Sequence, residues 1–216
     1  MIKIAVVNYS SQVSDAQVAV IIPALQGQVD SDFGPIWGVE AAVSAAGPDQ
    51  VTPEQWVMGI FDNADQADAL GYHSLTPAGQ PLMKIFVTPA LQNGDQVSMV
   101  MSHELLETLA DPWIESLALR DNGDGTGRLY ALEVCDAVEG DSYTGAGGVS
   151  LSNFITPWWF SGQPPAGAKF DFLGNLSAAF TLSPGGYFNY MDVSLGAGWQ
   201  QTFGEKANRN RATERG

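Results

Sequence analysis

The densest run of chemistry-bearing side chains in the chain is Ser102-His103-Glu104-Leu105-Leu106-Glu107. On a helix, His103 and Glu107 are four residues apart and project from one face, so an imidazole and a carboxylate can reach a single metal ion. Glu104 sits about 100° round from His103. That is too far for a fellow ligand and well placed to touch a water on the ion. The pattern follows the logic of the H-E-x-x-H zinc helix, with glutamate in place of the second histidine. The simpler reading is a solvated helix face that happens to carry two glutamates. The flanks argue against it, because Val97-Ser98-Met99-Val100-Met101 and Leu105-Leu106 are apolar on most sides and imply a largely buried helix. A carboxylate in such a helix is costly unless it is paired or metal-bound. Between Glu104 and Asp141 the chain carries ten acids against only Arg120 and Arg128, so a divalent cation is the simplest compensating charge.

A third ligand has to come from another element. Leu129-Tyr130-Ala131-Leu132-Glu133-Val134-Cys135-Asp136 offers Glu133 and Asp136, three residues apart, which suits one turn of helix but not one face of a strand. Glu133 is the first choice, and Asp136 is either a ligand or the acceptor that orients His103. Asp111 precedes Pro112 and reads as a helix terminus. Cys135 is a soft ligand, but its position between Val134 and Asp136 points it the other way.

These residues also match a known pattern. The run Ser102 to Pro112, followed by Glu133-Val134-Cys135-Asp136-Ala137-Val138-Glu139, resembles a group of bacterial and phage zincin-like proteins of H-E-x-x-E type. Gly71-Tyr72-His73-Ser74-Leu75-Thr76-Pro77 looks similar to the segment leading into that family's edge strand, and Pro184-Gly185-Gly186-Tyr187 is the next place to look. The resemblance spans roughly residues 70–160 at the level of motifs. It implies a zincin fold, with a twisted sheet, an active-site helix beneath its edge strand, and a cleft between them. It also implies a metal-dependent peptidase using zinc.

Replacing histidine with glutamate changes the chemistry. With His103, Glu107 and Glu133 as ligands, two negative charges meet a dication, and the centre acidifies water less than a three-histidine zinc site does. More oxygen ligands favour harder ions, leaving Mn²⁺ or Ca²⁺ as alternatives to Zn²⁺. In that chemistry Glu104 is the general base, and the strand through Lys84–Val87 binds substrate backbone by strand addition. His73, Tyr143 or Tyr72 stabilises the oxyanion. His73 is one of only two histidines, and its simpler reading is a loop residue.

The elements that must position these groups can be read more coarsely. Ile2–Asn8 is a short, β-branched apolar run that suits a buried strand. Ser14-Asp15-Ala16-Gln17 forms a capping box ahead of Val18, Ile21, Ile22 and Leu25 at helical spacing. Pro23 predicts that this helix bends or ends early. Trp56–Phe61 reads as a strand, followed by an acidic turn through Asp62, Asp65 and Asp68. Residues 81–89 read as another strand, with prolines at both ends favouring a sheet edge. Asn93-Gly94-Asp95 turns into a helix over Gln96–Ala110, whose Val97, Met101, Leu105 and Leu109 make a core-facing stripe. Beyond Trp113, short apolar runs alternate with Gly, Pro, Asn and Ser, which predicts hairpins and loops. Asp121–Gly127 faintly resembles a calcium loop but lacks its bidentate glutamate, and a hairpin turn explains it more simply. Trp158-Trp159-Phe160 reads as core rather than binding surface.

The expected fold is therefore α+β and zincin-like, with a sheet-plus-helix lobe over 1–112. A β- and loop-rich lobe over 113–204 completes the metal site, and a polar, weakly basic tail covers 205–216. The chain has 216 residues, 45% of them hydrophobic, enough to build a core. Its formal charge of −15 repels phosphate backbones and anionic lipid, which excludes sequence-independent nucleic-acid or membrane binding. The single cysteine forms no internal disulfide, and no apolar run is long enough for a membrane helix. These features predict a cytoplasmic protein, virion-associated if phage-encoded. Two functions compete: a metalloendopeptidase acting on a peptide or protein substrate, and a non-catalytic structural or binding protein of a phage particle or other assembly that keeps a metal site.

Overall fold

In the computed structural model, which describes residues 1–67, 69–193, 196 and 198–205, β1 (Ile2–Asn8) runs through the first sheet with Ile4–Val7 fully buried. It pairs in parallel with β2 (Ala41–Ala45) on one side and β3 (Trp56–Phe61) on the other. Sheets of this kind are covered on both faces, which is why β1 reads as a continuous apolar run rather than an alternating one. Two further strands, β4 (Gly71–Leu75) and β5 (Pro81–Phe86), complete a five-stranded sheet of order β2-β1-β3-β5-β4. β5 is parallel to β3, whereas β4 is antiparallel to β5.

The prolines flanking 81–89 therefore do not mark an edge. β5 lies inside the sheet with Pro81 as its first residue, where a missing N–H interrupts little of the ladder. The chain leaves β5 at Phe86, and Pro89 falls in the first turn of helix α3 (Val87–Asn93), where an N–H has no intrahelical acceptor anyway. Strand addition along Lys84–Val87 is excluded, because both edges of β5 are already paired. The edge strand on this side is β4.

Helix α1 (Asp15–Gly27) begins with the Ser14–Gln17 capping box read from the sequence. It does not stop at Pro23. It continues to Gly27 and passes into a wide π-helical segment, Gln28–Phe33, then a single turn, α2 (Gly34–Trp37). Burial of Val18, Ala24 and Leu25 against the sheet outweighs the one hydrogen bond that proline removes. Helix α4 (Val97–Ala110) packs against β4 and β5 and is buried along nearly all of its length. Asp111 ends it, and the Asp111 carboxylate accepts the backbone N–H groups of Glu115 and Ser116 to fix the exit.

The remainder of the described chain is strands and loops. β6 (Leu117–Asp121) and β7 (Gly127–Ala131) form a hairpin across Asp121–Gly127, whose Asp121 and Asp124 carboxylates accept N–H groups within the turn. β8 (Ser142–Thr144) pairs with β9 (Ser150–Ser152), and β10 (Tyr187–Asp192) with β11 (Gln200–Phe203) extends the second sheet in the order β11-β10-β7-β6. Trp159 is buried among Tyr130, Phe180 and Phe188, while its neighbour Trp158 is exposed. One apolar cluster runs from Ile4 and Ile60 through Met101 and Leu105 to Val134, Trp159 and Tyr190, so the two expected lobes share a core. Among the described residues no helix is long and apolar enough to cross a membrane. Asp68 and the basic tail from 206 onward lie outside the described residues.

A buried polar knot fixes α4 in place. The Ser102 hydroxyl donates to Gln28 Oε1 (2.7 Å) and accepts the Ser152 N–H (3.0 Å), while Gln28 Nε2 donates to the Ser152 carbonyl (3.0 Å). The π-helical segment, α4 and β9 are thereby locked together one residue away from His103. Ser102→Ala would leave a buried amide oxygen and a buried backbone N–H unsatisfied. Urea denaturation of that variant should show a loss of about 2–4 kcal/mol.

Candidate metal centre

Three pieces of chain meet at the end of α4. On β4, residues 71, 73 and 75 share one face. That face is turned toward α4, since a Cβ built on Gly71 would lie 2.8 Å from Val100 Cγ1 and 2.9 Å from Glu104 Oε1. Glycine at 71 is what lets the strand come this close, and His73 then points at the helix. The third piece is the stretch that leaves β7 at Ala131, passes Glu133 and enters a 3₁₀ turn at Asp136–Val138. Gly186 backs this turn so closely that a Cβ there would lie 2.2 Å from the Ala137 carbonyl oxygen.

Seven side chains converge. His103 Nε2 lies 3.2 Å from Glu107 Oε1 and 3.4 Å from Asp136 Oδ1, and its Nδ1 lies 3.9 Å from Glu139 Oε2. His73 Nδ1 lies 3.6 Å from both Glu104 Oε2 and Glu107 Oε2, and its Nε2 lies 3.6 Å from Glu133 Oε2. Side-chain exposure is 11% for His103, 9% for His73 and Glu133, and less for the other four. The Glu107 carboxylate is further fixed by the Cys135 backbone N–H, 3.2 Å from its Oε1. Lys84 pairs with Asp65 and Arg128 with Asp192, so neither neutralises the cluster.

Protonation follows from this crowding. Burial opposes a charged His73, but Glu133, Glu104 and Glu107 more than offset it and push the pKa up to about 10. His103 is likewise held well above the ordinary imidazole value, with burial outweighed chiefly by Glu107 and Asp136. Glu107 moves upward because burial and the charges of Asp136 and Glu133 outweigh the help of His103. The Tyr187 phenol, buried and facing Asp136, Glu107 and Glu133, is pushed well above its usual range and stays protonated.

The sequence-derived candidates sort clearly against this geometry. His103, Glu107, Glu133, Asp136 and Glu104 are brought together, and so is His73, as a wall of the cluster rather than a loop residue. Glu133 and Asp136 do not compete for one place: Glu133 faces His73, and Asp136 faces His103. Tyr143 is not brought in, since its hydroxyl donates to Asp32 (2.6 Å) and its ring packs on Phe172. Tyr72 is turned to Asp65. Cys135 is buried, with its thiol pushed up by burial and set against the His103 carbonyl. Glu139 and Tyr187 were assigned no role from sequence, although both lie in the runs that carry the resemblance.

The donor set fits a divalent cation. His73 with Glu107 and Glu133, and His103 with Glu107 and Asp136, each present ligand atoms within 4.8 Å of one another. Ligands at about 2.0–2.2 Å from a zinc-like ion stand roughly 3–3.5 Å apart, close to the contacts seen here and longer than good hydrogen bonds. His73 Nε2 and Asp136 Oδ2 are buried and make no hydrogen bond, a costly condition that a cation relieves. No protein-family model, curated protein or solved structure matches this chain.

Two outcomes follow from this site. In chelator-treated protein the folded state holds protons on His73 and Glu107 more tightly than the unfolded chain does. Their contribution to stability is therefore fullest at low pH, with Glu107's draining away from about 4.5 through about 8 and His73's from about 6.5 through about 10. The melting temperature of metal-free protein should fall over that window, and added divalent metal, which needs deprotonated ligands, should shrink or reverse the fall. Gly186→Ala, which drives a methyl into the Ala137 carbonyl, should cost about 1–3 kcal/mol in denaturant and weaken metal retention by displacing the Asp136 turn.

Proposed function

We propose that this protein is a zincin-like, metal-dependent peptidase whose centre is built on Glu107. The observation that carries the reading is the convergence of two imidazoles and five carboxylates, from β4, α4 and the turn after β7, on a buried spot where Asp136 Oδ2 and His73 Nε2 are left without hydrogen bonds. The antiparallel edge strand lying over the helix supports the zincin-like reading. Zinc suits the mixed nitrogen and oxygen donors, and the carboxylate-rich set also accommodates manganese.

His73, Glu107 and Glu133 would hold the cation beside Glu104. A bound divalent ion supplies Lewis-acid polarisation of a scissile carbonyl. The chain's own residues supply the rest. Glu104 takes the proton of the attacking water and delivers it to the leaving amine. Tyr187, kept protonated by its surroundings, donates a hydrogen bond toward charge developing on the carbonyl oxygen. Among the described residues the outer edge of β4 has no partner in its sheet, and it, rather than Lys84–Val87, is the place for an extended peptide to add a strand.

A second reading, a structural metal site in a non-catalytic protein, is favoured by how little of the cluster reaches the surface. The two readings separate cleanly. If the peptidase reading holds, Glu104→Gln keeps its metal and melting temperature while hydrolysis of a casein or peptide-library substrate falls at least a hundredfold. Glu107→Ala loses metal and activity together. Loss of metal and melting temperature in Glu107→Ala, with no hydrolysis by the metal-loaded wild type, would establish the structural role instead.

A further inference from the structure

The two faces of the Glu107 carboxylate are used differently. Oε1 is turned to His103 Nε2 (3.2 Å), which also faces Asp136 Oδ1 (3.4 Å). Oε2 is turned to His73 Nδ1 (3.6 Å), and Glu133 Oε2 lies 3.6 Å from the other nitrogen of the same ring, Nε2. Each oxygen thus belongs to a separate group of one imidazole and two carboxylates, and Glu107 is the member common to both. A mononuclear centre uses one such group and leaves the other as buried, mutually repelling acids. From this arrangement we infer that the protein holds two divalent cations bridged by Glu107, the second at His103, Glu107 and Asp136.

Three observations support the second position. Asp136 is only 2% exposed, and while its Oδ1 faces His103, its Oδ2 is buried without a hydrogen bond. Glu139 faces His103 Nδ1, the nitrogen pointing away from Glu107 and Asp136. At 3.9 Å this is an ion-pair contact rather than a hydrogen bond, and it places the negative charge on the side of Nδ1, leaving Nε2 to face the cation position. The charge also balances better. Glu104, Glu107, Glu133, Asp136 and Glu139 contribute five negative charges when ionised. One dication would leave most of that charge uncompensated in a buried site, whereas two bring the cluster close to neutrality. The bridging place is also the rigid one, since Glu107 is anchored by the Cys135 N–H and by its seat in a fully packed helix.

This inference rests on the proposed metal centre and goes beyond it, so the test must tell the two apart. Chelator-treated wild-type protein is titrated with Mn²⁺, following bound metal by elemental analysis after desalting and the electron paramagnetic resonance spectrum of the bound ions. The expected result is two manganese ions per chain with a broadened, exchange-coupled spectrum. Asp136→Asn should bind one ion and show the isolated-ion spectrum, and His73→Ala should do the same by losing the other position. Native-like circular dichroism of each variant is the control for folding. One ion per wild-type chain with an isolated-ion spectrum overturns the second position and leaves the peptidase centre standing. No retained ion in the wild type removes both. Two ions that stay uncoupled, or that both persist in Asp136→Asn, place the second ion elsewhere and overturn the bridge.

Discussion

Everything around the site answers one electrostatic constraint: Glu107, in the C-terminal half of α4, is buried among four other carboxylates. A charge removed from water in this way is tolerated only with close partners of opposite sign. Among the described residues two imidazoles reach the cluster and no lysine or arginine pairs with it, so the cluster has to borrow protons, which is why His73 and His103 both hold theirs far above the ordinary range. The architecture exists to keep these groups together despite their repulsion. Ser102 is tied to Gln28 and Ser152, Asp111 caps the helix exit, and the Cys135 N–H points at Glu107. Each of these bonds lies within a few residues of a cluster member and resists its drift outward.

Close approach is the second requirement, and two glycines meet it. Gly71 brings β4 against Val100 and Glu104, and Gly186 lets β10 sit against the carbonyls of the Asp136 turn. Larger residues at either place would push the side chains of the cluster apart. The same packing brings Tyr187 beneath Asp136. A residue at the start of β10 thereby joins a site otherwise built from the sheet edge, α4 and the turn after β7.

Local signals were legible where one short stretch decided its own fate. β1 and β3 begin and end where their apolar runs do, the Ser14 capping box opens α1, and α4 ends at the residue before Pro112. The i, i+4 relation put His103 and Glu107 on one face without knowledge of anything else. Proline misled at the sheet edge and did not end α1. At 23 it costs a single bond, which burial of the helix outweighs. At 81 and 89 its meaning depended on where the chain bends and on which strand lies next door. A missing N–H matters only if a neighbour needs it, and neighbours are a tertiary matter.

The sequence by itself determined the ingredients: an acidic, buried helix with a histidine and two glutamates at helical spacing, and a second acidic run downstream. Both follow from periodicity and composition, which act over a few residues. Only the tertiary structure decided that His73 is a member of the cluster, that Glu133 and Asp136 serve different histidines, and that Glu139 and Tyr187 belong while Tyr143 does not. Those choices depend on strand order and on the path of β4 over α4. Side chains thirty or eighty residues apart meet or miss according to how the sheet edge, helix and second sheet pack, and no local pattern encodes that distance.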